Sequence, residues 1–387
     1  MRAARILYVI DDASRNGGAH IASRLLICKL RQLGALVDVL CETPPTSDQV
    51  NDMDNPIVHA APIPYHSVKW LFCGAWRRFA RNNLYPNWML DPLGRIRRIM
   101  KGYDVVCVMS ECSIFRSLVS ELPHNVRKVQ LIHINYDEWL AHSPSGRAET
   151  IKDCCIYPQM DVIGVVGEIG ALQFKERFLF GEGKVSPFYN LIPEFPTKDK
   201  ADKGATVRLV TLGRIEDKRQ KDGERMLKVA EALKEANIDF TWQVYGCCGE
   251  SKNKFNEMAR ARKVGDRFEV HGFDANVQAR LFEADLMVLL SHFEGLPNVI
   301  YESMMAWTPV FSTNVGGISE QITEGENGWL APDDDDMIIK KLAAILHNPS
   351  KIHIAQCNLV GYRYDNEKAL KSHLRLLGIN RHGGMQC

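Results

Sequence analysis

Short apolar runs, each followed by a polar loop and then by apolar residues at helical spacing, recur along the chain and confine it to folds built on parallel sheets. The first run, Arg5 to Ile10, leads into the loop DDASRNGG and then into Ile21, Leu25, Leu26 and Leu30; Gly34 ends that helix, and Leu36 to Leu40 is the next strand. Strand-like runs return at Val105 to Ser110, Val129 to Ile134 and Met160 to Val166. After NLIPEFPTKDKADKGA, a Pro-, Lys- and Asp-rich stretch that reads as a linker, the alternation restarts with Val207 to Gly213, the helical GERMLKVAEALKEAN, and Phe240 to Gly246. Two such series predict an α/β chain of two Rossmann-like, doubly wound domains, residues 1–192 and 193–365, facing a cleft where strand ends meet a ligand. Residues 366–387 are expected to form a C-terminal helix that returns toward the first domain.

Length and composition agree with that plan. A chain of 387 residues suits two domains, and 45% hydrophobic with 25% charged residues excludes a disordered or fibrous protein. A net charge of +1 gives no overall pull toward nucleic acid. The 11 cysteines include the adjacent pairs Cys154-Cys155 and Cys247-Cys248 but no CxxC, which fits reduced thiols of a cytosolic protein better than a disulfide framework. The opening MRAARILYVIDDA meets Asp11 and Asp12 too soon for a signal peptide and reads as a first strand. No apolar run approaches the roughly 18 residues of a membrane span, so no crossing is expected.

The densest chemical signal runs from Ala284 to Trp329. Leu286 to Leu290 is a buried strand, HFEGLPN a polar loop, and Val299 to Ala306 helical. A helix N-terminus at strand ends suits phosphate, because its first N–H groups have no helical partners and the helix dipole favours negative charge. Glu294 on the loop and Glu302 in the helix can accept hydrogen bonds from sugar or ribose hydroxyls.

These residues carry a resemblance. E-x7-E at Glu294 and Glu302, GG-x-x-E from Gly316 to Glu320, and GENG at 325–328 resemble, in this order, the family 4 glycosyltransferases of GT-B fold, the retaining type found in bacterial surface-polysaccharide assembly. The resemblance implies that Glu302 binds the ribose of a nucleotide and Glu294 contacts the transferred sugar. Gly295, Leu296, Asn298 and Val299 join the donor-binding set. One residue departs from the pattern: Trp307 stands where the family usually has a glycine. Trp would be strained in a left-handed backbone, so an altered helix exit is expected here.

In VTLGRIEDKRQKDG, Arg214 follows the strand ending at Gly213. By resemblance, Arg214 and a following Lys hold the diphosphate and neutralise the leaving group, chemistry that guanidinium and ammonium groups suit. Lys221, directly before the helix, is the first choice for that Lys and Lys218 the second. Gly17 and Gly18, before the first helix, resemble a family glycine pair whose backbone approaches the diphosphate and acceptor. A tight turn, or a dinucleotide-binding dehydrogenase, would also use such a pair, but the full spaced glycine fingerprint is absent. His133, closing a strand, matches a family histidine near the sugar; a satisfied structural histidine is the alternative. Tyr189 and Asn190, in FYNLIP, resemble the family's hinge-side asparagine, a structural feature.

Between Ser67 and Lys101, Lys69, Arg77, Arg78, Arg81, Arg95, Arg97, Arg98 and Lys101 face one acid, Asp91, with Trp70, Phe72, Trp76, Phe79 and Trp88 interleaved. Basic residues with interfacial aromatics suit an anionic membrane surface, with Lys69, Trp76, Arg77, Arg78 and Arg81 as contacts. A solvated face over a local core is the alternative, and nothing else in the chain supports nucleic acid. The run Asp333 to Asp336 precedes the helical MIIKKLAAIL and reads as a cap rather than a metal site. The expected activity is retaining transfer of a hexose from a UDP- or GDP-linked donor to a hydroxyl of a glycan or lipid-linked glycan acceptor. No metal or other cofactor is expected, and the expected place is the cytoplasmic face of the plasma membrane. Rival readings are a sugar-nucleotide epimerase or hydrolase of similar fold, and a non-catalytic binding subunit.

Overall fold

The structure, a computed structural model, describes residues 2–61, 91, 93–110, 113, 115–143, 146–195, 206–247, 249–274 and 276–385. It divides into two compact units: Met1–Leu191 with Asp365–Cys387, and Ile192–Tyr364. Each is a parallel sheet with helices between its strands, the doubly wound α/β class that the alternation predicts.

The first unit holds β1 (Arg5–Val9), β2 (Leu36–Cys41), β3 (Val58–Ala60), β4 (Val105–Val108), β5 (Arg127–Ile132), β6 (Val162–Val166) and β7 (Val185–Phe188), in the order β3-β2-β1-β4-β5-β6-β7. Its central strands are apolar on both faces because helices cover both: Leu7, Val9, Val106, Val108, Ile132, Ile163 and Val165 are buried together on one face, and Ile6, Tyr8, Val105, Cys107 and Leu131 are buried on the other. The helix Asn366–Leu377 packs on this sheet although it is the last in the chain. Arg127 Nε donates to Leu376 O at 2.9 Å, and the Tyr189 N–H donates to Ser372 Oγ at 3.2 Å. A Cβ on Gly164 of β6 would stand 2.6 Å from Leu376 Cδ1, so this strand is glycine where the helix lies down on it.

The second unit holds β8 (Val207–Leu212), β9 (Phe240–Tyr245), β10 (Phe268–Val270), β11 (Leu286–Leu289), β12 (Val310–Thr313) and β13 (Gly328–Ala331), in the order β10-β9-β8-β11-β12-β13. The helix Gly223–Glu235 buries Met226, Leu227, Val229, Ala230 and Leu233, a stripe at helical spacing, against this sheet. Trp242 is fully buried in β9, and its indole N–H donates to Thr211 Oγ1 at 3.0 Å; Thr211 in turn donates to Val288 O at 2.6 Å. This chain of donors ties β9, β8 and β11 together, and losing the indole would cost about 3–5 kcal/mol.

Candidate functional site

In the second sheet the strand order reverses between β8 and β11, so their outgoing connections diverge and leave loop space at the strand ends. Gly213 follows β8 with φ +143°, and a Cβ there would lie 2.8 Å from Lys221 Cε. Glycine at this point lets the lysine stem cross the strand end. A tight turn delivers that lysine: the N–H groups of Gln220, Lys221 and Asp222 donate to Asp217 O at 3.0, 3.0 and 3.2 Å. Asp222 then caps the helix Gly223–Glu235, accepting from the Arg225 N–H at 3.2 Å.

Lys221 Nζ donates to Glu294 Oε1 at 2.7 Å, and Ser291 Oγ donates to the same oxygen at 2.8 Å. Glu294 is 8% exposed, so the lysine and hydroxyl supply the partners that a desolvated carboxylate requires. Two residues 73 apart in sequence, one expected at a diphosphate and one at a sugar, thus meet at the switch point. Lys218 instead lies on the surface with Glu224, 2.9 Å away, and Arg219 pairs with Asp217. Arg214 is exposed and makes no hydrogen bond or ion pair among the described residues.

Glu302 lies in the helix Asn298–Met305. Its surface is partly exposed, yet enough protein surrounds the carboxyl group that burial pushes its pKa up to about 7. Among the described residues, its side chain has no hydrogen-bond partner. Pro297 precedes the helix and offers no side-chain cap.

The two glycines of GG-x-x-E pack against the loop rather than opening toward a ligand. A Cβ on Gly316, at φ +56°, would fall 2.0 Å from Glu294 O, and one on Gly317 would fall 2.9 Å from Gly295 O. The Gly317 N–H donates to Gly295 O at 2.8 Å. These contacts fix the backbone of Glu294, Gly295 and Leu296. In GENG, the Asn327 amide donates to Gln321 O at 3.1 Å and accepts from the Thr323 N–H at 2.8 Å, closing its own turn.

The expected alteration at Trp307 is corrected by the structure. Trp307 adopts the left-handed conformation, φ +56°, and the helix ends as it would with glycine. Its N–H donates to Met304 O at 3.0 Å and the Thr308 N–H donates to Ser303 O at 2.9 Å, the paired bonds of a Schellman end. The ring packs against the cluster of Leu281, Ile300, Met304 and Ala306, which offsets the strain.

In the acidic run, Asp334 caps the helix Asp335–Leu346 by accepting from the Met337 N–H at 3.0 Å. Asp333 and Asp335 hold Arg225 at 2.5 and 2.9 Å. Among the described residues no group of three or more His, Cys, Asp and Glu is placed to hold a metal ion. Ser291 and the set formed by Asp222, His292 and Asp333 went unread in the sequence. The one available signal was a histidine inside the same short loop as Glu294.

In the first unit Gly17 is the N-cap of the helix Gly18–Gln32, at φ −76°, and a Cβ there would meet only His20 Nδ1 at 3.4 Å. Neither conformation nor space demands glycine. His133 follows β5, edge-on to Phe188 with ring centroids 5.0 Å apart. Both ring nitrogens are closed off from solvent. Burial, followed by His373 and His20, lowers its pKa to about 3, with Asn190 pulling weakly the other way; the ring is neutral at physiological pH. Lys69, Trp76, Arg77, Arg78 and Arg81 lie outside the described residues. No described helix is long and apolar enough to cross a membrane.

Residues 196–358 match the family model of the glycosyl transferases group 1. The putative colanic acid biosynthesis glycosyltransferase WcaL of Salmonella typhimurium is 28% identical over 157 residues, which are 38% of this chain and 37% of that protein. The 2-deoxystreptamine N-acetyl-D-glucosaminyltransferase of Niallia circulans is 31% identical over 142 residues, 36% of each. The chain therefore aligns with little over a third of the length of these relatives. Among solved structures, a mutant of S. aureus TarM in complex with fondaparinux, alpha-GlcNAc-glycerol and UDP superposes with a TM-score of 0.73 at 14% identity, covering 97% of this chain and 99% of that one. WaaG, a glycosyltransferase involved in lipopolysaccharide biosynthesis, gives 0.72 at 12% identity, covering 96% and 99%. These likenesses establish the shared GT-B fold.

Proposed function

We propose, from the match of residues 196–358 to the family model of the glycosyl transferases group 1, that the chain is a retaining glycosyltransferase. It moves a hexose from a nucleoside diphosphate sugar to a hydroxyl of a glycan or lipid-linked glycan acceptor in cell-surface polysaccharide assembly. The observation that carries this reading is the meeting of Lys221 and Glu294, 2.7 Å apart, at the switch point of the second sheet. An ammonium group has three donors, so Lys221 can keep Glu294 in place while it also binds a phosphate oxygen. Arg214, with no bond to give up among the described residues, supplies the second cation. Together they stabilise the charge that grows on the departing diphosphate.

Glu302 has the properties of a ribose site, being a largely desolvated carboxyl group whose lone pairs are not taken by the protein. Glu294, held by Lys221 and Ser291, accepts from sugar hydroxyls, with backbone from Gly295 to Val299 around the phosphates. Gly17 and Gly18 lend close backbone approach, and the neutral His133 serves the acceptor side as a hydrogen-bond partner. Retention follows from attack on the face that the diphosphate leaves. No metal is needed, because Lys221 and Arg214 take its place. The basic aromatic segment with Lys69, Trp76, Arg77, Arg78 and Arg81 docks the protein on anionic lipid. The name of the Salmonella relative, with its colanic acid biosynthesis, supports the polysaccharide setting.

The test is calorimetric titration with UDP and GDP in excess chelator. One of the two should bind, and Glu302→Ala and Arg214→Ala should each weaken it by about 1.5–3 kcal/mol, the scale of hydrogen bonds to charged groups. Unchanged affinity in both variants, or binding that appears only with added metal, would overturn the assignment.

A further inference from the structure

The His292 ring lies between two carboxylates that belong to different parts of the second unit. Nδ1 is 3.0 Å from Asp333 Oδ2, and Nε2 is 3.4 Å from Asp222 Oδ2. A neutral imidazole has one N–H, and an ionised carboxylate only accepts, so both contacts become hydrogen bonds only when the ring carries two protons. The charged groups facing the ring are Asp222 and Arg225 at the start of one helix and Asp333 before another. The bond from Asp333 raises the histidine pKa, against burial and the nearby Arg225.

This bridge borders the lysine of the site. Asp222 is the next residue after Lys221, and it holds an uncommon backbone conformation, φ 33° and ψ 81°. On the other side of the lysine, Gln220 O accepts from the His292 N–H at 2.8 Å, and the Gln220 amide donates to Phe293 O at 3.4 Å. The residues before and after Lys221 are therefore both tied to the loop that carries Glu294. Two of those ties are neutral and one depends on the ring.

We propose that His292 is a positioning residue for the donor site: bridging Asp222 and Asp333 as a cation, it holds the turn of Lys221 against the Glu294 loop, and donor affinity falls when the ring loses its proton. The inference rests on reading this site as one for a nucleoside diphosphate. It makes the site pH-sensitive on the alkaline side through a group that does not touch the ligand.

The experiment measures Kd for UDP and for GDP by calorimetry from pH 6.5 to 9 in the wild type, H292Q and H292K, with a melting temperature at each pH. The wild type should lose about three- to tenfold in affinity as pH rises above the ordinary imidazole range, the scale of one partly screened ion pair. H292Q should show that weaker affinity throughout, with no alkaline fall. H292K keeps a cation over this range and should also be flat. An H292Q with the affinity and alkaline fall of the wild type overturns the proposal, even if its melting temperature drops, because His292 is then only structural. If H292Q does not fold, an alkaline fall retained in H292K has the same force. A wild type that binds with no alkaline fall overturns this proposal alone, whereas one that binds neither nucleotide overturns the donor-site reading beneath it.

Discussion

Lys221 and Glu294 form an ion pair at 2.7 Å in which neither partner is free to move without stranding the other, since their side chains are 15% and 10% exposed. Removing one partner leaves a charge in a largely dry place. Lys221→Met alone is expected to cost about 2–4 kcal/mol of folding stability, and adding Glu294→Gln should recover much of that loss. Urea denaturation of both single variants and the double variant closes the cycle. Additive losses would mean that the two residues are not coupled.

Glu302 makes stability and function pull in opposite directions. Burial raises its folded pKa to about 7, above the value of an unfolded glutamate, so between roughly pH 4.5 and 7 the native state binds more protons than the unfolded state. Stability on this account falls as pH rises through that window and is then level. Glu302→Gln should match the wild type at pH 5 and exceed it at pH 8 by about 1–3 kcal/mol, while binding UDP or GDP more weakly. Thermal unfolding at both pH values checks this, and equal stability at pH 8 would count against a desolvated carboxylate.

Trp307 separates backbone strain from packing. Replacing it with Ala removes the ring but keeps a Cβ at φ +56°, whereas Gly removes both. Both variants should be less stable than the wild type because the ring packs on the core, but Trp307→Gly should be more stable than Trp307→Ala by about 1 kcal/mol. This order is the reverse of the one expected inside a helix. Chemical denaturation of the pair reads it directly.

Two glycines of the site should respond to alanine in opposite ways. Gly316→Ala drives a methyl group into Glu294 O and should displace the loop, costing several kcal/mol, about 2–5 by analogy with other overpacked or strained positions. Gly17→Ala has room and an ordinary φ, so stability should change by less than about 1 kcal/mol. A large drop in transfer by a well-folded Gly17→Ala would then identify close approach of a ligand. A Gly17→Ala variant of full activity would reduce the pair to a helix entry.

Long apolar strands and their helices were legible because a strand buried on both faces has a continuous apolar run, as in Val162–Val166. Two edge elements were not: β3 is three residues long, and β7 contains Pro187, a residue tolerated at a sheet edge but a poor strand signal. Glu294, Glu302 and Arg214 could be picked out by motif. The partnership of Lys221 with Glu294 could not, since only the strand order puts their loops side by side. Asp333 shows the same limit: local reading sees a capping run, while the fold gives the capping bond to Asp334 and sets Asp333 between Arg225 and His292.

The helix Asn366–Leu377 covers β5, β6 and β7 of a sheet whose first strand lies at the opposite end of the chain. As the polypeptide leaves the ribosome, residues 192–364 are all available before that helix has been made, so the later half can finish folding first. Until then the earlier half must wait with Gly164, Leu131 and Phe188 uncovered, the surface on which Leu376 settles. A nonsense codon shortly before residue 366 would thus release a chain whose unfinished part is the one translated first.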